Sequence, residues 1–224
     1  MKENLLDGQE YELKKVIGIS FTASIGSFLF GYNIGVFNSM QPNVSASLDW
    51  GGDEKLYISI ISTLMPFGAL FGAIYGGQAA EKLGRRKSMI FSDILVIIGS
   101  LIFIFPSTTT LGVGRFFTGF TSGMFSVICP VYISEFSPTK ISGKIGSLVQ
   151  IMINLGVLFA FAIALLLPTE DFDKNSFNWW WLFMLSLQGL FALLQLLLFF
   201  VWLRHETPYW LLKFNKNEEA LKSL

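Results

Sequence analysis

Charge is what this 224-residue sequence has least of. Asp, Glu, Lys and Arg make up 14% of it, against about 25% in soluble globular domains. The 16 Lys and Arg are balanced by 16 Asp and Glu, so no basic surplus exists to serve a nucleic-acid face. One Cys rules out a disulfide framework and a cysteine-rich metal site, and one His rules out His-cluster chemistry. There is no Gly-rich phosphate loop, no elbow serine and no facing carboxylate pair. That inventory points away from an enzyme and implies neither cofactor nor metal. Internal repeats, low-complexity stretches and sustained strand-like alternation are missing too.

What is abundant is apolar. Hydrophobic residues reach 52%, with 23 Phe, and the mean hydropathy is +0.56. Long apolar stretches fall at 16–40, 56–80, 88–105, 111–136, 143–167 and 179–203. A bilayer crossing takes roughly 20 such residues. In lipid the backbone must bond to itself within each segment, which leaves helices and excludes open sheets. The expectation is an all-α membrane protein with six transmembrane helices. Residues 1–15 form a cytoplasmic N-terminal tail, 16–203 the membrane domain and 204–224 the start of a cytoplasmic linker.

The loops set the orientation. The N-terminus, the loops after the second and fourth stretches and the C-terminus fall on one side, and that side holds 13 of the 16 basic residues. The positive-inside rule puts both ends in the cytoplasm. The leader has no short apolar core with a cleavage site, so the first stretch reads as an uncleaved anchor. Asn178 to Trp181 fits an interfacial aromatic belt, and Asn43-Val44-Ser45 is a glycosylation sequon in the first outer loop.

Few polar groups enter the apolar stretches. Arg115 is costly there, about 2.5–3.5 kcal/mol at a helix centre on insertion scales. It either bonds backbone carbonyls as a structural residue or takes part in a transport cycle. Asp93 lies within two turns of the cytoplasmic end of the third stretch and reads equally as an intramembrane acid or as a wet interfacial residue. Asn33, Gln150, Asn154, Gln188 and Gln195 are neutral amides that both donate and accept, the pattern a hydroxylated solute needs. Gly68, Gly72 and Gly76 recur every four residues, as do Gly31 with Gly35 and Gly119 with Gly123, marking faces where helices approach closely. Pro66 and Pro130 read as interruptions of the second and fourth helices.

At these residues the sequence resembles the sugar porter family of the major facilitator superfamily. Phe30-Gly31-Tyr32-Asn33-Ile34-Gly35-Val36 is similar to the helix 1 motif FGY[DN]xGV. Gly77 to Lys87 is similar to the loop motif GxxxDxxGRRK, with Glu81 where Asp is usual. Gly114-Arg115 opens GRxxxGxxxG, Pro130 to Pro138 is close to PxYxxExxP, and Gly143 to Gln150 resembles RGxxGxxxQ. Glu206 to Leu211 resembles the run ESPRWL, and Asn217 to Ala220 continues it. The resemblance runs from the first helix to the last residue.

The resemblance implies the N-terminal half, a 3+3 inverted repeat, of a twelve-helix alternating-access carrier for hexoses or related polyols. It implies that Gln150, Ile153 and Val157 on helix 5 and Phe30 and Asn33 on helix 1 face the sugar. Glu81, Arg85, Arg86 and Glu135 would form a cytoplasmic charge network that locks one state, with Arg115 in the gating set. Proton-coupled members carry Asp at the position of Asn33; an amide does not titrate, so the resemblance implies facilitative uniport. The implied partners are the sugar, the bilayer and a missing C-terminal half or second six-helix unit, in the plasma membrane. A non-transporting truncated or sensor-like membrane protein is the alternative. The chain departs from the family pattern at Ser142, where Arg is usual, and at Trp180, where helix 6 often has Arg.

Overall fold

The computed structural model describes residues 13–137, 142–166, 179–203 and 206–218. The leader up to residue 12, Lys140, Lys174, Asn178, Arg204 and the stretch from Glu219 onward lie outside the described residues. So do the side chains of Ser142 and Lys144. Among the described residues there is no strand. The elements are α1 (Leu13–Ser47), a short 3-10 turn (Gly51–Asp53), α2 (Glu54–Leu83), α3 (Arg85–Ile102), α4 (Thr108–Phe136), α5 (Ser142–Ala164), α6 (Trp180–Val201) and the short α7 (Pro208–Lys213).

Five of these, α1, α2, α4, α5 and α6, are long and apolar enough to cross a membrane. The third expected span differs. α3 has 18 residues, opens on Arg85-Arg86-Lys87 and carries Asp93, so its apolar content falls short by composition although one face packs on α4 and α6. α1 runs past the expected end at residue 40 to Ser47. At about 1.5 Å per residue it is near 50 Å long and overshoots a hydrocarbon core of about 30 Å. Pro66 and Pro130 do not interrupt their helices, and Pro42 likewise lies within α1. Each proline removes one N–H from the ladder, a loss that packed helices tolerate.

Packing repeats across the two halves of the chain. α1 lies most extensively on α5, and α2 on α4. Exchanging α1–α3 with α4–α6 turns the first pair into the second, and turns α3 on α4 into α6 on α1, which is also present. This is the pattern of a 3+3 repeat. The two broad seams are built on glycine: a methyl at Gly72 would overlap the Phe120 carbonyl, and one at Gly31 would overlap the Ile153 carbonyl. Close backbone approach of this kind is how helices associate where lipid supplies no hydrophobic drive.

Two apolar clusters fill the bundle. One holds Met89, Val96, Phe125, Ile128, Tyr132 and Phe199. The other, at the opposite end, holds Tyr32, Phe37, Met40, Trp50 and Trp181. Trp181 is 1% exposed, so it is core rather than part of an interfacial belt, whereas Trp179 is exposed. Trp50 donates its indole N–H to Thr108 Oγ1 at 2.8 Å and ties the α1–α2 connection to the start of α4. Asn43 lies inside α1 at 5% exposure. The sequon is therefore not presented as the surface loop that glycosylation needs.

Candidate functional site

The helix 1 and helix 5 residues singled out in the sequence meet along the α1–α5 seam. Gly31 lets α1 rest on the backbone of Ile153, and Gly35 rests on Val157 and Ala160. That contact sets Phe30 and the α5 face of Gln150, Ile153 and Val157 side by side. Phe30, Ile153 and Val157 are half-buried, and Gln150 is exposed. Gln150 donates its amide to Asn154 Oδ1 at 3.2 Å, which leaves its own carbonyl oxygen free to accept. Toward the Glu135 end, Gln150 lines a cleft of about 230 Å³ with Pro130, Ile133, Ser134, Gly146 and Val149. The face offers neutral donors and acceptors beside aliphatic surface, a combination suited to a solute that is all hydroxyls and C–H.

Asn33 sits deeper, at 1% exposure. Its amide donates back to the Leu29 carbonyl at 3.0 Å, and its Oδ1 has no partner. Arg115, 3% exposed, donates from Nη1 to the Asn33 carbonyl at 3.3 Å. Its guanidinium lies 4.7 Å from the centre of the Phe37 ring, an attractive cation–π position. α1 and α4 are thus joined through a backbone carbonyl and a ring rather than through an ion pair. Further along, Gln195 of α6 donates to the Thr22 carbonyl at 3.0 Å, and the Tyr32 hydroxyl donates to the Met184 carbonyl at 2.6 Å.

The α2–α3 connection holds the second cluster. Arg85 and Glu135 form a buried ion pair, Nη2 to Oε1 2.8 Å. Arg85 also donates from Nε to Glu135 at 3.1 Å and from Nη1 to the Ala80 carbonyl at 3.0 Å. The other carboxylate oxygen of Glu135 accepts from the Thr207 hydroxyl at 2.6 Å. Arg86 donates to the carbonyls of Phe199, at 2.8 Å, and of Leu203. Glu81 is exposed and joins through its backbone carbonyl, which accepts the Trp210 indole N–H at 2.9 Å.

Glu206 closes the cluster. Its two oxygens accept from the backbone N–H of Arg86 at 2.9 Å and of Lys87 at 3.0 Å, satisfying donors that the start of α3 would otherwise leave open. The carboxylate fits only because residue 84 is glycine. Gly84 has φ +102°, and a Cβ there would lie 2.6 Å from Glu206 Cδ. Burial pushes the Glu206 carboxyl above the usual carboxylate range, opposed by the two N–H groups and the charges of Arg86 and Lys87. The sequence reading named Arg85, Arg86 and Glu135 but gave no role to Glu206, Thr207 or Trp210. The signal was the Glu206-Thr207-Pro208 run, which nothing local ties to an arginine 120 residues away.

Comparison with known proteins agrees with this architecture. Residues 19–224 match the family model described as "Sugar (and other) transporter". The chain is 35% identical over 206 residues to the probable inositol transporter 2 of Arabidopsis thaliana, covering 92% of this chain and 34% of that protein. It is 32% identical to the major myo-inositol transporter IolT of Bacillus subtilis (92% and 42%), and 30% identical to hexose transporter 1 of Toxoplasma gondii (88% and 38%). The chain thus spans well under half the length of these relatives. Among solved structures, the proton:xylose symporter XylE bound to 6-bromo-6-deoxy-D-glucose superposes with a TM-score of 0.85 at 22% identity, covering 94% of this chain and 49% of that one. A partially occluded inward-open form of XylE from E. coli gives 0.84. This chain belongs to the sugar transporter family, as an integral membrane protein with the fold of the N-terminal half of a major facilitator superfamily carrier.

Proposed function

We propose that the chain supplies the N-terminal half of an alternating-access carrier for polyhydroxylated solutes of the hexose and inositol class, working as a facilitative uniporter. The observation that carries this is the Gln150–Asn154 amide pair, exposed on α5 between aliphatic neighbours and free of charged groups. In this reading Gln150, Ile153, Val157, Phe30 and Asn33 contact the solute. Relatives named for inositol and for hexose transport support the substrate class. A second six-helix unit supplies the facing wall of the cavity. The Arg85–Glu135–Glu206 cluster, with Arg86 and the Glu81 carbonyl, is a latch that forms and breaks in each cycle. In this reading it lies at the cytoplasmic side of the plasma membrane together with the tail at 1–15 and the linker from 204, an orientation that the basic bias of that side supports.

Asn33 supports uniport. The position beside Arg115 carries an amide, which neither takes up nor releases a proton across the accessible range. Uptake of labelled hexose and myo-inositol into vesicles containing the full-length protein, with the mirror-image sugar as control, tests the reading. Stereospecific, saturable uptake that equilibrates is the expected result, with Gln150→Ala weakening it. Accumulation driven by a pH gradient would refute uniport while leaving sugar transport standing.

A further inference from the structure

Among the described residues Asp93 is the one buried acid to which the latch and the sugar face give no task. It lies about two turns into α3, on the stripe with Met89 and Val96 that faces the core. It is 0% exposed, and neither carboxylate oxygen has a hydrogen-bond partner. Of the two sequence readings, the intramembrane acid is the one its burial agrees with, not the wet interfacial residue.

The elements packed on α3 are α4, α6 and α2. From α4, the Cys129 thiol is within electrostatic reach of Asp93 and also meets Ser27 of α1. Tyr132 and Glu135 lie along α4 toward the latch, and Arg115 lies toward the other end. α6 carries no ionisable residue between Trp180 and Val201. α2 offers Tyr75 near its middle, with Glu81 and Lys82 exposed at its end. On α3 itself, Arg85 is held by Glu135 and the Ala80 carbonyl, and Arg86 by carbonyls of α6 and the residue just after it. Among the described residues no cation therefore reaches Asp93, and no group of His, Cys, Asp and Glu fits a metal ion. An uncompensated carboxylate in such surroundings costs several kcal/mol. The proton is the one ligand that cancels the charge and needs neither a cavity nor further ligating atoms.

We propose that Asp93 is a proton-binding site inside the bundle, and that its occupancy sets how firmly α3 seats on α4 and α6 and so how readily the latch at the start of α3 opens. The link is mechanical. Arg85 reaches Glu135 on α4, and Arg86 reaches the end of α6, only while α3 lies against both. An ionised Asp93 draws α3 toward water and strains both contacts. Because the site is enclosed and away from the α1–α5 face, it governs rate at a given pH and does not drive accumulation. It thus rests on the carrier reading and goes beyond uniport at Asn33.

The test has one arm that does not need transport. Infrared difference spectra of the purified protein against Asp93→Asn should show a carboxylic-acid carbonyl band in the wild type that the variant lacks. Should the variant fail to accumulate, labelling wild type with heavy-isotope carboxyl aspartate assigns the band, since Asp93 is the only buried Asp among the described residues. In counterflow at equal pH on both sides, raising the pH from about 6 to about 9 should slow the wild type about tenfold and Asp93→Asn less than about twofold. An absent band, a band that aspartate labelling leaves unmoved, or the same pH profile in both proteins overturns the proposal. Gradient-driven accumulation is read separately, at unequal pH, and bears on uniport alone.

Discussion

The glycine seams and the charged end are both tightly packed, yet they are held by opposite means. Along α2–α4 and α1–α5 the backbones touch through Gly72, Gly31 and their neighbours, with no charged side chain in the contact. At the charged end the elements meet through an ion pair, a carboxylate on backbone N–H groups, and side chains on carbonyls. Backbone packing has no alternative partner in lipid, so a seam once opened gains nothing. Charged and hydrogen-bonding groups that part can each be met by water, so in the proposed cycle a joint made of them can open and close where a seam cannot. The contrast fits the proposed reading of a rigid six-helix body with a breakable clasp.

The seams should be the least forgiving. Gly72→Leu places a branched side chain against the Phe120 carbonyl. A Cβ there overlaps a backbone oxygen that cannot give way, so the two helices must part and the cost goes well beyond the about 1–3 kcal/mol of side-chain overpacking; the expected outcome is loss of the monodisperse peak in detergent extraction. Arg85→Ala comes next, because it strands Glu135 in a buried place; breaking such a pair costs about 3–5 kcal/mol. Adding Glu135→Gln to it should recover part of the lost thermal stability, and a double-mutant cycle that shows simple additivity would deny the coupling.

Glu206 sharpens the contrast by pH. Its folded-state carboxyl holds its proton to higher pH than in the unfolded chain. Its contribution to stability is therefore fully present below the ordinary carboxylate range and is lost as pH rises through the raised value. Thermal melts across that window should show a decline that Glu206→Gln flattens. Asn33→Asp is the mildest for the fold, since it adds an acid beside Arg115; the expected change is that sugar uptake becomes sensitive to a pH gradient.

The helices and the glycine spacing of the seams were legible from sequence as local patterns of period or spacing, whereas Arg85, Arg86 and Glu135 were pointed to by the family resemblance of their motifs. What sequence could not carry was pairing at a distance. The Glu206 carboxylate caps α3 across 120 residues, and only Gly84, with its positive φ, admits it. Burial was likewise hidden. Asp93 and Trp181 look interfacial along the chain because each lies near a helix end, yet α4 and α6 enclose the first and the Tyr32–Phe37 cluster encloses the second. For the site residues, it was the family resemblance that named Gln150 and Phe30, which lie on the α1–α5 face, while the partner that would complete the cavity has no trace in these residues.

The most direct measurement of the rigid body and its clasp is a pair of spin-label distances in the full-length protein, taken with and without sugar. One pair joins exposed Lys87 and Asn217 across the charged end, and the other joins exposed Leu70 and Val113 across the α2–α4 seam. Cys129 of this chain is buried and does not compete for label, and any cysteine in the rest of the protein is replaced first. The Lys87–Asn217 distribution should shift or broaden when sugar is added, while the Leu70–Val113 distribution stays narrow and fixed. Movement at the seam with a still clasp would contradict the account.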